Sequence, residues 1–233
     1  MSLLDLPIID IIIPAYNEEA AIGLVVDEIP KHVVRDIIVC NNNSTDSTAQ
    51  VAAQYGATVV FQPLAGYGNA CLKGMEHIAQ KTIAPDVVVF LDGDHSDYPE
   101  QMVEMIDLIA ADKVDMVIGS RVLGKAASGS LMPQQRFGNW LATRLLRLIY
   151  GVRYTDLGPF RAIRYTSLVQ LQMADRTYGW TVEMQVKAAK LKLRTMEIPV
   201  DYRVRIGQSK VSGTVKGTLG AGYKILLTIF KYW

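Results

Sequence analysis

Five short apolar runs separated by helix-like segments fill the first 120 residues, and they restrict the chain to few architectures. Ile8–Pro14, Asp36–Cys40, Thr58–Phe61, Asp86–Leu91 and Met116–Ser120 are each the length of a strand. The first is apolar at every position but Asp10, as in a parallel strand covered on both faces. Helices are expected between the runs. One begins at Glu18-Glu19, with Asn17 as its cap and the two acids at its positive end. Others run through Tyr55, from about Asn69 to Gln80, and from Pro99 to about Ala111. This βαβα order predicts a mostly parallel, Rossmann-like α/β sheet with helices on both faces. Ligands of such sheets gather at the carboxyl ends of the strands.

The second half is less regular. Gln135–Ile149 reads as an amphipathic helix with Arg136, Arg144 and Arg147 available to its polar face. Thr181–Leu191 reads as a further helix, and Asp156–Ile163 and Met196–Tyr202 as strands. No repeat or low-complexity linker interrupts the chain, so its 233 residues read as one domain over 1–212 and an amphipathic helix over 213–233. Half of the residues are hydrophobic, enough for a sizeable core and contrary to disorder.

Charge is sharply divided. Residues 1–120 hold 5 Lys/Arg against 18 Asp/Glu, and residues 121–233 hold 19 against 5, so a net charge of +1 conceals two opposite halves. An acidic half suits a cation, and a basic half suits phosphates or an anionic lipid surface. The tail LGAGYKILLTIFKYW mixes aromatic residues with lysines, and Lys224 breaks its apolar stretch, so it fits a helix lying in an interface better than one crossing a membrane. The start of the chain lacks the pattern of a signal peptide. Cys40 and Cys71 form neither a metal-ligand spacing nor a disulfide framework, which favours a reducing, cytoplasmic setting. The expected location is the cytoplasmic face of a membrane, held peripherally.

The strongest chemical signal is Asp92-Gly93-Asp94, at the end of the strand Val87–Leu91. Two carboxylates at the mouth of a buried strand suit a hard divalent cation, which would bridge diphosphate oxygens. Gly93 would let the backbone turn tightly between them. Asp97, close behind, can cap a helix or add a ligand.

The ordered set IIIPAYNEE, VCNNNSTDST, FLDGDHSDYPE, IGSR and GQSK resembles the family-2 glycosyltransferases of the GT-A fold. Within them it is most similar to the branch that glycosylates polyprenyl phosphates, such as dolichyl-phosphate mannose synthase and bactoprenyl-phosphate glucosyltransferases. The likeness runs from about Ile8 to Lys210. It implies a nucleotide pocket lined by Pro14, Tyr16, Asn17 and Glu18, with Asn41, Asn43 and Asp46 at the base or ribose. The leading acids of that second motif are asparagines here, whose amides both donate and accept, so UDP- and GDP-sugars both remain open. Gly68, in Gly66–Ala70, matches a turn that brings backbone N–H groups to phosphate. Asp92, Gly93 and Asp94 match the donor and metal segment, implying Mg²⁺ or Mn²⁺. Arg121 matches an arginine beside the acceptor site, and Arg136 is a second candidate for the acceptor phosphate, because a guanidinium grips phosphate with two parallel bonds. Arg205, Ser209 and Lys210 resemble a basic cover over the diphosphate. Glu183 stands where relatives that use hydroxyl acceptors place acids.

The resemblance implies inverting transfer by direct displacement. A polyprenyl (dolichyl or undecaprenyl) phosphate is already ionised and needs no base; a hydroxyl acceptor would need Glu183 or Asp156. Expected partners are therefore a nucleotide-sugar, a polyprenyl phosphate and a membrane surface, with no nucleic acid. A sugar nucleotidylyltransferase is the remote alternative, opposed by the acidic, glycine-free Pro-Ala-Tyr-Asn-Glu-Glu where a triphosphate loop would lie.

Overall fold

The computed structural model describes residues 6–207 and 215–233. Seven strands form one sheet: β1 (Ile9–Ala15), β2 (Asp36–Asn41), β3 (Thr58–Phe61), β4 (Val87–Phe90), β5 (Met116–Ser120), β6 (Arg161–Arg164) and β7 (Thr195–Pro199). Their spatial order is β3-β2-β1-β4-β6-β5-β7. Every pairing is parallel except those of β6, which runs antiparallel between β4 and β5. Eight α-helices cover the sheet: α1 (Ile22–Glu28), α2 (Thr48–Gln54), α3 (Tyr67–Ala79), α4 (Met102–Ala110), α5 (Pro133–Tyr150), α6 (Tyr165–Leu171), α7 (Trp180–Lys190) and α8 (Val215–Lys231).

Alternate residues of the central strands feed two cores. Ile11, Ile13, Val87 and Val89 pack beneath α1 and α4, while Ile12, Val88 and Phe90 pack beneath α3, α5 and α7. The break in the first apolar run is explained by pairing: fully buried Asp10 meets Arg35 at 2.6 Å and Lys81 at 2.8 Å. Leaving that carboxylate without a cation would cost several kcal/mol (order of magnitude).

Two expectations need correction, and one helix was not foreseen. The run Asp156–Ile163 is not a strand throughout, because residues 156–160 form a loop and only Arg161–Arg164 pair. Asn17 does not cap a helix at Glu18; α1 starts at Ile22, and Asn17 takes a left-handed turn with φ 53°. Its side chain instead accepts from the Thr45 N–H at 2.8 Å, tying the β1–α1 loop to the β2–α2 loop. Helix α6, too short to show a full period, was not legible in the sequence.

Chain direction positions the site. From β1 the chain winds outward to β2 and β3, then returns to place β4 on the other side of β1. The crevice at the carboxyl ends of β1 and β4 is thus a topological switch point, where open α/β sheets bind ligands.

Candidate active site

Asp92 and Asp94 emerge from β4 into that crevice. Burial first, and then the charge of Asp94, push the Asp92 carboxyl up to about 6. The Tyr67 hydroxyl, at the start of α3, donates to Asp92 Oδ1 at 3.2 Å. Asp94 is buried; its Oδ1 accepts from the Ser96 N–H at 3.0 Å, and Oδ2 meets the Arg205 guanidinium at 2.6 Å. Asp97 is buried close by, and neither of its carboxylate oxygens has a hydrogen-bond partner. The neighbouring charges and burial raise its pKa well above the carboxylate range. The expected turn forms at Gly93-Asp94, and His95 after it takes a left-handed conformation with φ 62°. A Cβ on Gly93 would sit 3.4 Å from the Pro14 carbonyl oxygen, an ordinary contact that brings the motif against the end of β1.

Three crowded carboxylates with one guanidinium among them leave a surplus of negative charge that suits a divalent cation. Among the described residues no three His, Cys, Asp or Glu side chains converge to ligating distance. An ion here would be held by Asp92 and Asp94 with donor phosphate oxygens, the usual arrangement for magnesium.

Arg121 follows β5 on the other side of the crevice. Its Nε and Nη2 donate to the two Asp156 oxygens at 2.8 and 2.7 Å, and its ring partner is Tyr202, 5.1 Å away. Burial disfavours the Asp156 charge, but Arg121 outweighs it and holds the carboxyl below its ordinary value. The loop carrying Asp156 is fixed from three sides. Glu197 of β7 accepts its Thr155 and Asp156 N–H groups, Asn139 of α5 accepts from Leu157, and the wholly buried Arg161 donates to the Leu157 and Gly158 carbonyls.

A cavity of about 870 Å³ joins these parts. Its charged lining residues are Asp92, Arg121, Arg136, Asp156 and Arg205. Leu131, Trp140, Tyr178, Ala221, Gly222 and Ile225 are among the others. Tyr67, Asn139 and Tyr202 were not anticipated as site residues. Their signal is tertiary: each comes from a different element and meets the site only on folding.

The nucleotide-side residues assemble at the carboxyl ends of β1 and β2, but several are committed to building the rim. Asn41 Oδ1 accepts from the Ser44 N–H at 3.0 Å. Asp46 accepts from the Thr48 and Glu19 N–H groups, which hold its pKa down against the effect of burial. The side chains of Asn17, Asn41 and Asp46 therefore brace two loops against each other. Tyr16 and Asn43 present exposed faces at this rim. Glu18 anchors it through its N–H to Thr48 Oγ1 at 2.8 Å.

Two residues stand in settings that do not match the roles expected of them. The Gly68 N–H is not free for phosphate: it donates to the Thr177 carbonyl at 3.2 Å. A Cβ on Gly68 would lie 2.1 Å from the Asp175 carbonyl oxygen, so the glycine is there for close backbone packing. Glu183 is not placed as a base. It is fully buried away from the cavity lining and accepts from the Ala174 and Asp175 N–H groups, Tyr232 Oη at 2.6 Å and Lys187 at 2.8 Å. Despite burial, these donors lower its pKa. Ser209 and Lys210 lie outside the described residues.

Residues 10–171 match the family model described as glycosyl transferase family 2, and the chain belongs to that family. An uncharacterized glycosyltransferase of Mycobacterium tuberculosis is 33% identical over 230 residues, covering 97% of this chain and 96% of the relative. A dolichyl-phosphate hexose transferase of Haloferax volcanii is 32% identical, covering 86% and 85%. An undecaprenyl-phosphate mannosyltransferase of Micrococcus luteus is 28% identical, covering 88% of each. Among solved structures, M. tuberculosis glucosyl-3-phosphoglycerate synthase, crystallised with Mn²⁺, UDP and glucosyl-3-phosphoglycerate, shares the fold with a TM-score of 0.75 at 19% identity. It covers 97% of this chain and 80% of that one. The protein is thus a nucleotide-sugar-dependent glycosyltransferase of GT-A fold.

Proposed function

We propose that the chain transfers a sugar from a nucleoside-diphosphate sugar to a polyprenyl phosphate, with inversion and with the help of Mg²⁺ or Mn²⁺. The observation that carries this reading is the composition of the cavity: the carboxylates Asp92 and Asp156, the arginines Arg121, Arg136 and Arg205, and a set of apolar side chains share one lining. A phosphate on a hydrophobic chain calls for the last two together.

Asp92 and Asp94 hold the cation, which when bound neutralises the charge of the departing diphosphate. Tyr67 orients Asp92. Tyr16, Asn43, Glu18 and Pro14 border the nucleoside side, and Arg205, already at Asp94, shares the diphosphate charge. Arg121 and Arg136 receive the acceptor phosphate. Asp156 fixes the Arg121 fork and is held ionised in that pair, so it makes a poor proton acceptor. Asp97, whose oxygens have no partner, is not among the residues lining the cavity; with Glu183 also elsewhere, the lining carboxylates are Asp92, assigned to the cation, and Asp156, held by Arg121. An acceptor that arrives already charged needs no base. Catalysis then rests on alignment of the two substrates and stabilisation of the leaving group. The names of the Haloferax and Micrococcus relatives favour the same acceptor class.

The test is transfer from labelled UDP- and GDP-sugars to a short polyprenyl phosphate in detergent, with and without Mn²⁺ or Mg²⁺. Lipid-linked product that requires the cation is expected. Metal-dependent consumption of a donor with sugar appearing only on a hydroxyl compound would refute the lipid-phosphate assignment.

A further inference from the structure

Helices α5 and α8 pack against each other, joined where Tyr150 Oη donates to the Ile229 carbonyl at 2.6 Å. Both contribute to the cavity wall, α5 through Asn139 and Thr143, α8 through Ala221 and Ile225. Their opposite faces carry large apolar side chains into solvent. On α5 these are Phe137 and Leu148, with Trp140 at the edge between this face and the cavity that it also lines; on α8 they are Leu219, Tyr223 and Phe230, all 50–82% exposed. Spacings of three and eight residues on α5, and of four and seven on α8, keep each set on one stripe. Trp233, just beyond α8, is 83% exposed.

A helix covering a core normally turns its polar side outward. Here the outward stripes are aromatic and aliphatic, with cations interspersed. Phe137 and Trp140 stack with centroids 5.9 Å apart, and exposed Arg144 lies over the Trp140 ring at 5.8 Å. Arg147 and Lys231 are also exposed, and neither helix contains a single Asp or Glu. The first 120 residues, by contrast, hold 18 of the 23 acids.

We propose that the paired outer faces of α5 and α8 form one docking surface for an anionic lipid bilayer. Phe137, Trp140, Tyr223 and Trp233 enter the headgroup boundary, and Arg144, Arg147 and Lys231 meet lipid phosphates. Aromatic side chains with cationic neighbours and no acids are the composition of an in-plane, interfacial helix. Among the described residues no helix is long and apolar enough to cross a membrane, so attachment here is lateral. Expectation from the tail alone had placed this function on the last helix; the structure adds α5 as its partner. Docking on this face brings the cavity, whose wall the same helices build, to within one helix layer of the bilayer. The inference deepens the lipid-acceptor reading, because it states how the enzyme reaches a substrate embedded in a membrane.

The test is vesicle flotation of the intact protein with phosphatidylcholine vesicles, alone or containing phosphatidylglycerol. Binding to the anionic vesicles is expected, weakening with salt. Two variants, Phe137→Ser/Leu148→Ser on α5 and Leu219→Ser/Tyr223→Ser on α8, replace only exposed groups. Each is expected to lower vesicle binding ~10-fold or more, while transfer to a short polyprenyl phosphate in detergent stays within about twofold. Failure of the wild type to float with anionic vesicles would overturn the proposal. So would loss of binding in the α8 variant alone, which would return the role to the tail. A stable dimer that the same variants dissolve, without vesicle binding, would assign the surface to a second copy of the chain. The detergent assay reads the acceptor chemistry separately, so vesicle binding can fail without that chemistry failing, and the converse.

Discussion

The two sides of the crevice are built by opposite means. On the donor side, the loops after β1, β2 and β4 leave adjacent parallel strands, and their polar side chains mostly accept from backbone N–H groups of the same loops: Asn17 from Thr45, Asn41 from Ser44, Asp46 from Thr48. The backbone is thereby fixed, and few groups beyond Asp92, Tyr16 and Asn43 remain to face a ligand. On the acceptor side, the wall comes from Arg121 after β5, α5, the loop carrying Thr155 to Pro159, Tyr202 after β7, and α8, held by ion pairs and hydrogen bonds between distant elements. A rigid side with few reaching groups suits a nucleotide of fixed shape. A side assembled from helices around an apolar space suits an acceptor with a long hydrophobic part.

That contrast can be broken by substitution. Asp94→Asn, on the donor side, should lower transfer ~1,000-fold, with the same fold by circular dichroism. Retention of full metal-dependent activity would remove this carboxylate from the site. Arg121→Lys should lower kcat/KM for the acceptor ~100-fold, because an ammonium cannot reproduce the two-point grip on Asp156 or on a phosphate. Its KM for the donor should barely move, and a change confined to the donor would place Arg121 on the wrong side. Tyr67→Phe should weaken the apparent affinity for Mn²⁺ ~10-fold and leave the rate at saturating metal nearly intact, as expected for a group that only orients Asp92. Rate loss that excess metal does not restore would contradict that role.

Protonation sharpens the donor side further. Since the Asp92 pKa is raised to about 6, a proton competes with the cation below that pH, and the metal needed for half-maximal activity should rise as the solution is acidified through it. The sign for folding is opposite: the native state holds this proton more tightly than the unfolded chain, so the charge at Asp92 costs stability as pH rises toward neutrality. Asp92→Asn should accordingly abolish transfer yet stabilise the metal-free protein, by ~1 kcal/mol. Lower stability in urea titration would contradict the raised value.

The smallest effect on rate is expected from Glu183→Gln, within about twofold, with a stability loss of ~2–3 kcal/mol from weakened charge-assisted bonds. Because the Glu183 pKa is lowered, this difference is complete above the ordinary value of 4.5 and vanishes as pH falls through the depressed one. A large fall in kcat at unchanged stability would restore Glu183 as a base.

Legibility followed the same divide. β1, β2 and β5 were readable almost to the residue, since a strand buried on both faces is apolar along its length and needs no tertiary information; the half-buried edge strand β3 was readable from its β-branched run. Asp92 and Asp94 were readable because a carboxylate pair ending such a strand must lie at the sheet's ligand edge. Glu183 was misread for a physical reason: its position at the first turn of α7 says nothing about which way the carboxylate turns, and Tyr232, 49 residues away, decides that. Gly68 looked like a phosphate turn because a loop packing on a glycine leaves the same sequence mark. Tyr67, Asn139 and Tyr202 left no mark, since a tyrosine or asparagine is equally at home in an ordinary helix or loop. Antiparallel β6 was obscured by the apolar Leu157 and Phe160 in the loop before it, which bury as a strand would.

One comparison tests the central claim most directly: transfer to a short polyprenyl phosphate against transfer to the matching polyprenol, with one donor, saturating Mn²⁺ and detergent. The two acceptors share the apolar chain and differ only in the group presented to Arg121 and Arg136. Product from the phosphate, with the alcohol slower by ~1,000-fold or more, is the predicted result. Equal or faster transfer to the alcohol would contradict it, requiring a proton acceptor that the cavity lining, with Asp156 held by Arg121 and Asp92 assigned to the cation, does not supply.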